Sequence, residues 1–199
     1  MITLCMDTSH IFLALALIED DRIIGRVQEK CWKRQSEEIF PKLMEMTEKA
    51  GIRPEDIGQV VITEGPGSYT GVRIAMTVAK VFCAMGNKPL GVIGTLQLYA
   101  GTGENVRVLL DARGKRAYTA LFSRGFMQGE AAALDLAEIS RMLGNETVAG
   151  DGHLIGREDI YPDLAENFLA LKDQWRFADN VHLVVPEYLK SSESYLVKK

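Results

Sequence analysis

The segment with the strongest claim to chemistry is Gly65-Pro66-Gly67-Ser68-Tyr69-Thr70-Gly71-Val72-Arg73. It follows an apolar run, Val60-Val61-Ile62, and opens a helical pattern that extends to about Met85. A glycine-rich turn between strand and helix aims backbone N–H groups and the positive end of a helix dipole at whatever lies above it. A phosphate-gripping loop also needs lysine, then serine or threonine, after its last glycine. Here Gly71 is followed by Val72 and Arg73. The residues therefore predict anion-ready backbone without the side chains of phosphate chemistry.

Two aspartates are the next candidates. Ile2-Thr3-Leu4-Cys5-Met6 ends in Asp7, and Val106-Arg107-Val108-Leu109-Leu110 ends in Asp111. Carboxylates at strand ends can hold Mg²⁺ through water, and they can equally cap a turn. Asp7 is followed by Thr8-Ser9-His10, with no glycine to admit a phosphate closely, while Asp111-Ala112-Arg113-Gly114 keeps one glycine behind a bulky arginine. Turn capping outweighs ATP binding on this pattern. The histidines, His10, His153 and His182, form no i, i+4 pair and no HExxH motif, so no metal site is expected. Ser68 misses the order of a Gly-x-Ser-x-Gly elbow by one position, and Ser9 and Ser36 have no base indicated by the sequence. No catalytic residue, metal or cofactor is predicted.

The elements that must position these residues repeat. Strands are expected over Ile2 to Met6, Ile11 to Ile18 and Ile23 to about Cys31, with the acidic turn Glu19-Asp20-Asp21 joining the second and third as an antiparallel meander. A helix is expected from an N-cap at about Ser36 to Ala50, stopped by Gly51 and loosened early by Pro41. The Val60–Thr63 strand, the glycine turn, the second helix, a strand over Leu90–Ile93 and a short helix from Thr95 follow. The second half reads alike: strands at Val106–Asp111, Ala117 to Ser123 and after Gly125, a helix over Asp135 to Leu143, a strand at Thr147–Ala149, then Gly150-Asp151-Gly152 and a helix over Leu164 to Leu171. Both halves are β-β-β-α-β-α with aspartate ending the first strand, which predicts a duplicated α/β fold with a cleft between two lobes.

Length and charge set outer bounds. The chain has 199 residues and a formal net charge of −4, enough for one domain or two small lobes and unsuited to broad charge-driven nucleic-acid binding. Two short basic clusters, Lys30/Lys33/Arg34 and Arg113/Lys115/Arg116, read first as solvated surface and leave contact with nucleic-acid phosphate open. Cys5, Cys31 and Cys83 have no CxxC spacing and read as reduced thiols. No basic leader or membrane-length apolar run is present, so the cytoplasm is the expected compartment.

The two long helices carry the positive signal. From Val72 to Met85 the polar residues Arg73, Thr77 and Lys80 form one narrow stripe, and the rest is apolar or small. A helix lying on a sheet needs one apolar face, and this one has nearly three. The first helix adds Ile39, Phe40, Leu43, Met44, Met46 and Ala50. Periodicity alone leaves a central core helix and a partner platform equally open.

Several segments together resemble the bacterial TsaB (YeaZ-type) family of tRNA threonylcarbamoyladenosine synthesis. They are Met6-Asp7-Thr8-Ser9, Arg34-Gln35-Ser36-Glu37 with Pro41, Gly65 to Arg73 with Ala79-Lys80, Leu109-Leu110-Asp111-Ala112-Arg113, Gly150-Asp151-Gly152 and Pro186-Glu187-Tyr188-Leu189-Lys190. Gln35 departs from the histidine that relatives often carry, and the second half is shorter than in longer relatives. The resemblance implies a duplicated ribonuclease-H-like fold of the actin/Hsp70/sugar-kinase class, with a lobe over 1–103, a lobe over 104–199 and a last helix that can return to the first lobe. It implies a non-catalytic scaffold that binds the catalytic subunit TsaD, joined by the ATPase TsaE, in threonylcarbamoyl transfer to adenosine 37 of ANN-decoding tRNAs. The two long helices would form a bundle with the same pair on TsaD, or on a second copy. Ile39, Phe40, Leu43, Met44, Val72, Ala75, Met76, Ala79, Phe82 and Cys83 are then the expected partner face, and Asp7, Ser9, Asp111 and Arg113 a vestigial cleft. The rival readings are an ATP-binding enzyme of the kinase-like fold and, on weaker grounds, a peptidase.

Overall fold

The computed structural model describes residues 1–31 and 33–189. Strands β1 (Ile2–Asp7), β2 (Phe12–Glu19) and β3 (Arg22–Lys30) form the meander, and helix α1 (Gln35–Ala50) follows. Strand β4 (Ile57–Thr63), helix α2 (Tyr69–Gly86), strand β5 (Leu90–Ile93) and helix α3 (Thr95–Ala100) complete the first half. The second half holds β6 (Val106–Asp111), β7 (Arg116–Ser123), β8 (Phe126–Asp135), α4 (Leu136–Met142), β9 (Thr147–Gly150) and α5 (Leu164–Ala170). The order β-β-β-α-β-α thus occurs twice, as expected.

The pairing repeats as well. The first sheet runs β10-β5-β4-β1-β2-β3, where β10 is Arg176–Phe177, and the second runs β8-β7-β6-β9. In each, the first three strands are antiparallel neighbours, and the fourth adds parallel to the first, β4 to β1 and β9 to β6. This duplicated mixed sheet flanked by helices is the ribonuclease-H-like α/β class.

Burial follows the two-residue period of a strand. Along β2, Leu13, Leu15 and Leu17 enter a core under α1 and α2, whereas Phe12, Ala14, Ala16 and Ile18 enter a core on the opposite face. Both faces are covered, so the strand reads as an almost unbroken apolar run. The second core is common to the two halves. It joins Cys5, Ala14 and Ala16 of the first sheet to Val108, Leu110, Ala120 and Phe122 of the second through Leu96, Leu98 and Tyr99 of α3 and Leu164, Ala165 and Phe168 of α5. A smaller core of Leu109, Ala117, Ile139 and Val148 lies under α4.

Some local expectations change. Helix α1 starts at Gln35, not at a Ser36 cap, and its N-cap Arg34 makes no side-chain capping bond. The Gln35 amide is buried and donates to the His10 carbonyl at 2.9 Å, a tertiary bond in place of a local cap. Pro41 lies inside a continuous helix on its exposed side, and Gly51 ends the helix at φ 67° with its N–H on Glu48. What returns to the first sheet is β10, antiparallel to β5, followed by a passage to Leu189 that includes a 3-10 turn at Val181–Leu183. The expectation of a returning last helix, and the open question over Ser191 to Lys199, fall outside the described residues. Two residues carry no periodicity, which is why β10 has no sequence signal.

Because Phe168 packs between both sheets at 1 % exposure, Phe168→Ala should cost about 3–5 kcal/mol. The shared core also requires one cooperative unfolding transition. Urea melts followed by circular dichroism and by tryptophan fluorescence should therefore coincide, and separated transitions would contradict a common core.

Candidate functional site

The crevice lies where the first strands of the two sheets end. Asp7 is fully buried there. Its Oδ1 accepts from the Ser9 N–H at 3.0 Å and from Thr63 Oγ1 at 2.6 Å, and its Oδ2 from the Tyr99 hydroxyl at 3.4 Å. In the second half Asp111 Oδ1 accepts from the Arg113 N–H at 2.7 Å, the same i to i+2 turn bond. Both strand-end aspartates are therefore turn caps, which is the role their sequence context favours.

The middle of the crevice is filled by side chains the chemical reading did not single out. His10 Nε2 lies 2.9 Å from Asp151 Oδ1, with both residues almost wholly buried. Asp151 Oδ1 also accepts from the Tyr161 hydroxyl, and Oδ2 accepts from the Asp111 N–H at 2.6 Å. Burial pushes the Asp151 carboxyl upward, but the His10 bond and charge, the Tyr161 hydroxyl and the Asp111 N–H outweigh it and hold the group below the ordinary carboxylate range. The Tyr161 phenol is pushed up by burial and by its bond to that carboxylate, and the Tyr99 phenol by burial and the charge of Asp7. The signal for Asp151 was its pair of flanking glycines. Gly150 has φ 101°, and a Cβ there would collide with the Leu109 carbonyl, so only glycine lets β9 lie this close to β6 and deliver Asp151 into the crevice. Ser9 Oγ is buried without a hydrogen-bond partner.

The glycine loop opens onto protein rather than onto free space. The Ser68 N–H donates to the Ser9 carbonyl at 2.7 Å, and Thr8 Oγ1 donates to the Gly71 carbonyl at 2.6 Å. Thr8 Oγ1 also accepts from the Ala75 N–H at 3.0 Å. A Cβ on Gly67 would strike the Ser9 carbonyl, and one on Gly71 the Thr8 carbonyl. The loop glycines thus let α2 dock on the turn after β1. Ser68 caps the helix itself, accepting from the Gly71 N–H at 3.3 Å.

Helix α2 is amphipathic on a wider arc than a single stripe. Val72, Ala75, Met76, Ala79 and Cys83 face the first sheet and are buried in the chain's own core. Ile74, Val78 and Phe82 are half-buried, while Val81 and Met85 stand 54 % and 84 % exposed. On α1, Ile39 is buried, but Phe40 and Met44 are 56 % and 61 % exposed. Between the two helices runs a groove of about 450 Å³ lined by Phe40, Tyr69, Arg73, Ile74, Thr77 and Val78, among others. The returning passage closes one side of α2. Lys80 Nζ donates to the His182 and Val184 carbonyls, both at 3.0 Å, and Tyr188 stacks on Tyr69 at 5.5 Å.

Six of the ten residues of the expected partner face lie within the chain's own core. Ile39, Val72, Ala75, Met76, Ala79 and Cys83 pack their side chains into the core beneath the two helices. Leu43 and Phe82 are half-buried, and Phe40 and Met44 are exposed. Of the cleft residues, Asp7, Ser9, Asp111 and Arg113 do converge on one crevice, with Asp7 and Ser9 sealed inside and Arg113 exposed at the rim. Cys5 and Cys83 are buried, and both thiols are raised by burial. No cluster of metal-ligating side chains occurs among the described residues. No described helix is long and apolar enough to cross a membrane.

Comparison with known proteins settles the family. The family described as "TsaD: tRNA N6-adenosine threonylcarbamoyltransferase" matches residues 18–158. The chain belongs to that family, in its TsaB (YeaZ-type) branch. It is 28 % identical to the tRNA threonylcarbamoyladenosine biosynthesis protein TsaB of Bacillus subtilis over 98 % of this chain and 96 % of that one. The protein of the same name from Escherichia coli is 26 % identical over 85 % and 78 % of the two chains. The fold matches the YeaZ structure from Pseudomonas aeruginosa with a TM-score of 0.75 and 19 % identity, over 94 % of this chain and 100 % of that one.

His10→Ala would leave the buried Asp151 carboxylate short of a partner and should cost about 3 kcal/mol. Since the folded Asp151 carboxyl lies below its unfolded value, its contribution is complete above about pH 4 and is lost as pH falls through the folded value. Urea unfolding between pH 6 and pH 2.5 should show a shallower acid loss in Asp151→Asn than in the unaltered chain.

Proposed function

We propose that the chain is a non-catalytic scaffold subunit for threonylcarbamoyl transfer to adenosine in tRNA. Its partner is the catalytic TsaD-type transferase, with the TsaE ATPase joining the assembly in the cytoplasm. One observation carries this reading. The groove between α1 and α2 is lined by Phe40, Tyr69, Ile74 and Val78, and the exposed apolar side chains Met44, Val81 and Met85 lie further along the same two helices, whereas the crevice between the sheets is filled by the chain's own His10, Asp151 and Tyr161. Contiguous exposed apolar surface of this kind marks a protein interface. The names of the Bacillus and Escherichia relatives place them in the same modification, and the matched family is that of the transferase.

The scaffold contributes buried area rather than a chemical group. Phe40 and Met44 supply adaptable anchors from α1, and Ile74, Val78, Val81 and Met85 supply the facing ridge from α2. Without TsaD, the same groove can receive a second copy. Chemistry stays with the partner, because the crevice where a kinase-like fold would hold its nucleotide has no open floor here.

Light scattering of the purified chain, alone and mixed with its cognate TsaD, tests this. The unaltered chain should form a heteromer, and Phe40→Glu/Met44→Glu should lose it while keeping native circular dichroism. Ala79→Glu should behave differently and unfold the whole chain, since Ala79 is fully buried against the sheet. Normal assembly by the folded double variant would sink the proposed interface.

A further inference from the structure

The cations of this acidic chain are unevenly neutralised. Among the described residues, lysines and arginines away from the crevice have an oxygen partner. Arg22, Arg26, Lys42, Lys49, Arg53, Arg107, Arg124, Lys172 and Arg176 pair with carboxylates. Arg34 and Arg116, each within one of the basic clusters, do so too. Arg73, Lys80, Lys88 and Arg141 bond a hydroxyl or carbonyls. Lys30, Lys33, Arg113, Lys115 and Arg157 have none, and all five are exposed.

Topology brings these five to one place. Lys30 ends β3, and Lys33 lies in the connection from β3 to α1. Arg113 and Lys115 form the β6–β7 turn, both at left-handed φ of 59°. Arg157 follows the turn after Asp151, its N–H on the Gly152 carbonyl at 3.0 Å. Strands β1, β3, β6 and β9 all end at this side, the carboxyl edge where open α/β sheets place their ligands. A short chain of contacts links the two rims. Lys30 Nζ lies 5.2 Å from the Tyr161 ring, Tyr161 bonds Asp151, Asp151 accepts from Asp111, and Asp111 accepts from Arg113. The nearby carboxylates are largely occupied: Asp151 is buried, Asp111 caps the turn, and Asp159 pairs with His153. Glu158 is exposed beside Arg157.

We propose that this rim is a phosphate-backbone contact for the RNA substrate, with one rim of cations contributed by each half of the duplication. It rests on the scaffold reading, because the RNA reaches the rim within the heteromer. The filled crevice excludes a small anion from the interior, while unpaired cations spread over two rims suit an extended polyanion lying across the mouth. Such contacts position without reading sequence.

The test is binding of a fluorescein-labelled ANN-decoding tRNA transcript to the heteromer between 50 and 200 mM salt. Lys33→Glu/Arg113→Glu/Lys115→Glu should bind at least about tenfold more weakly at 50 mM, with the salt slope shallower by about one per lost contact. Light scattering reports assembly independently, so failure of the scaffold reading is seen as a missing heteromer. An intact heteromer with unchanged affinity and slope overturns the proposal. Lysine acylation of the heteromer read by mass spectrometry gives a second arm that needs no variant. tRNA should protect Lys30, Lys33 and Lys115 but not Lys49. Equal reactivity with and without tRNA, or protection by polyglutamate alone, overturns it, the latter in favour of an acidic protein.

Discussion

Most of this molecule follows from a single packing constraint, the core that the two sheets hold in common. Helices α3 and α5 are sandwiched between them, and α5 belongs by sequence to the second half yet packs on β2 and β3 of the first. Neither sheet can expose that face without losing residues as large as Tyr99 and Phe168 to water, so neither half is stable as drawn without the other. Polar bonds reinforce the junction: Gln28 bonds both the Pro162 carbonyl and the Leu164 N–H, and the Asn167 amide donates to the Leu98 carbonyl. A hinge that opens and shuts around a ligand requires lobes joined by little more than a strip of chain. Here the strip is replaced by a filled core, and the polar cluster of His10, Asp151 and Tyr161 is locked in the crevice as a consequence.

Two motifs suggestive of nucleotide chemistry have been turned to internal joinery. In the Gly65–Arg73 loop, backbone N–H groups and glycine clearances meet the turn after β1. The strand-end aspartates satisfy N–H groups two residues on. The residue types are those that phosphate binding needs, because the physical demand is the same. Close approach wants glycine, and orphan N–H groups want an oxygen. What differs is whose oxygen fills the position, and that depends on residues far away in sequence.

That distinction explains what was legible beforehand. The order of elements, the duplicated meander, the Gly51 stop and the broad apolar arc of α2 are local patterns, and they read correctly from spacing. The division of that arc was not legible. Ala79 and Val81 flank Lys80 on the same helix, and the docking of that helix on the sheet buries the first and leaves the second half exposed. The crevice residues failed for a related reason. His10 and Asp151 are 141 positions apart, and a lone histidine next to a turn carries no pattern that names its partner. The start of α1 was misplaced because Gln35 is held by a tertiary bond to His10, which outweighs the local preference for a serine cap.

The pairing of β10 with β5 gives synthesis of this chain a waiting period. Arg176 sits opposite Val92, so about 80 residues must be made after β5 before its neighbour exists. At about 5–20 residues per second, that interval lasts roughly 4 to 16 seconds. Throughout it, the first sheet has an uncovered edge at β5, and Lys80 has neither of the carbonyls that later receive it. This later segment is therefore a fastener. A nascent chain presents its α2 surface incompletely built, and the surface becomes whole only once Val184 has been made.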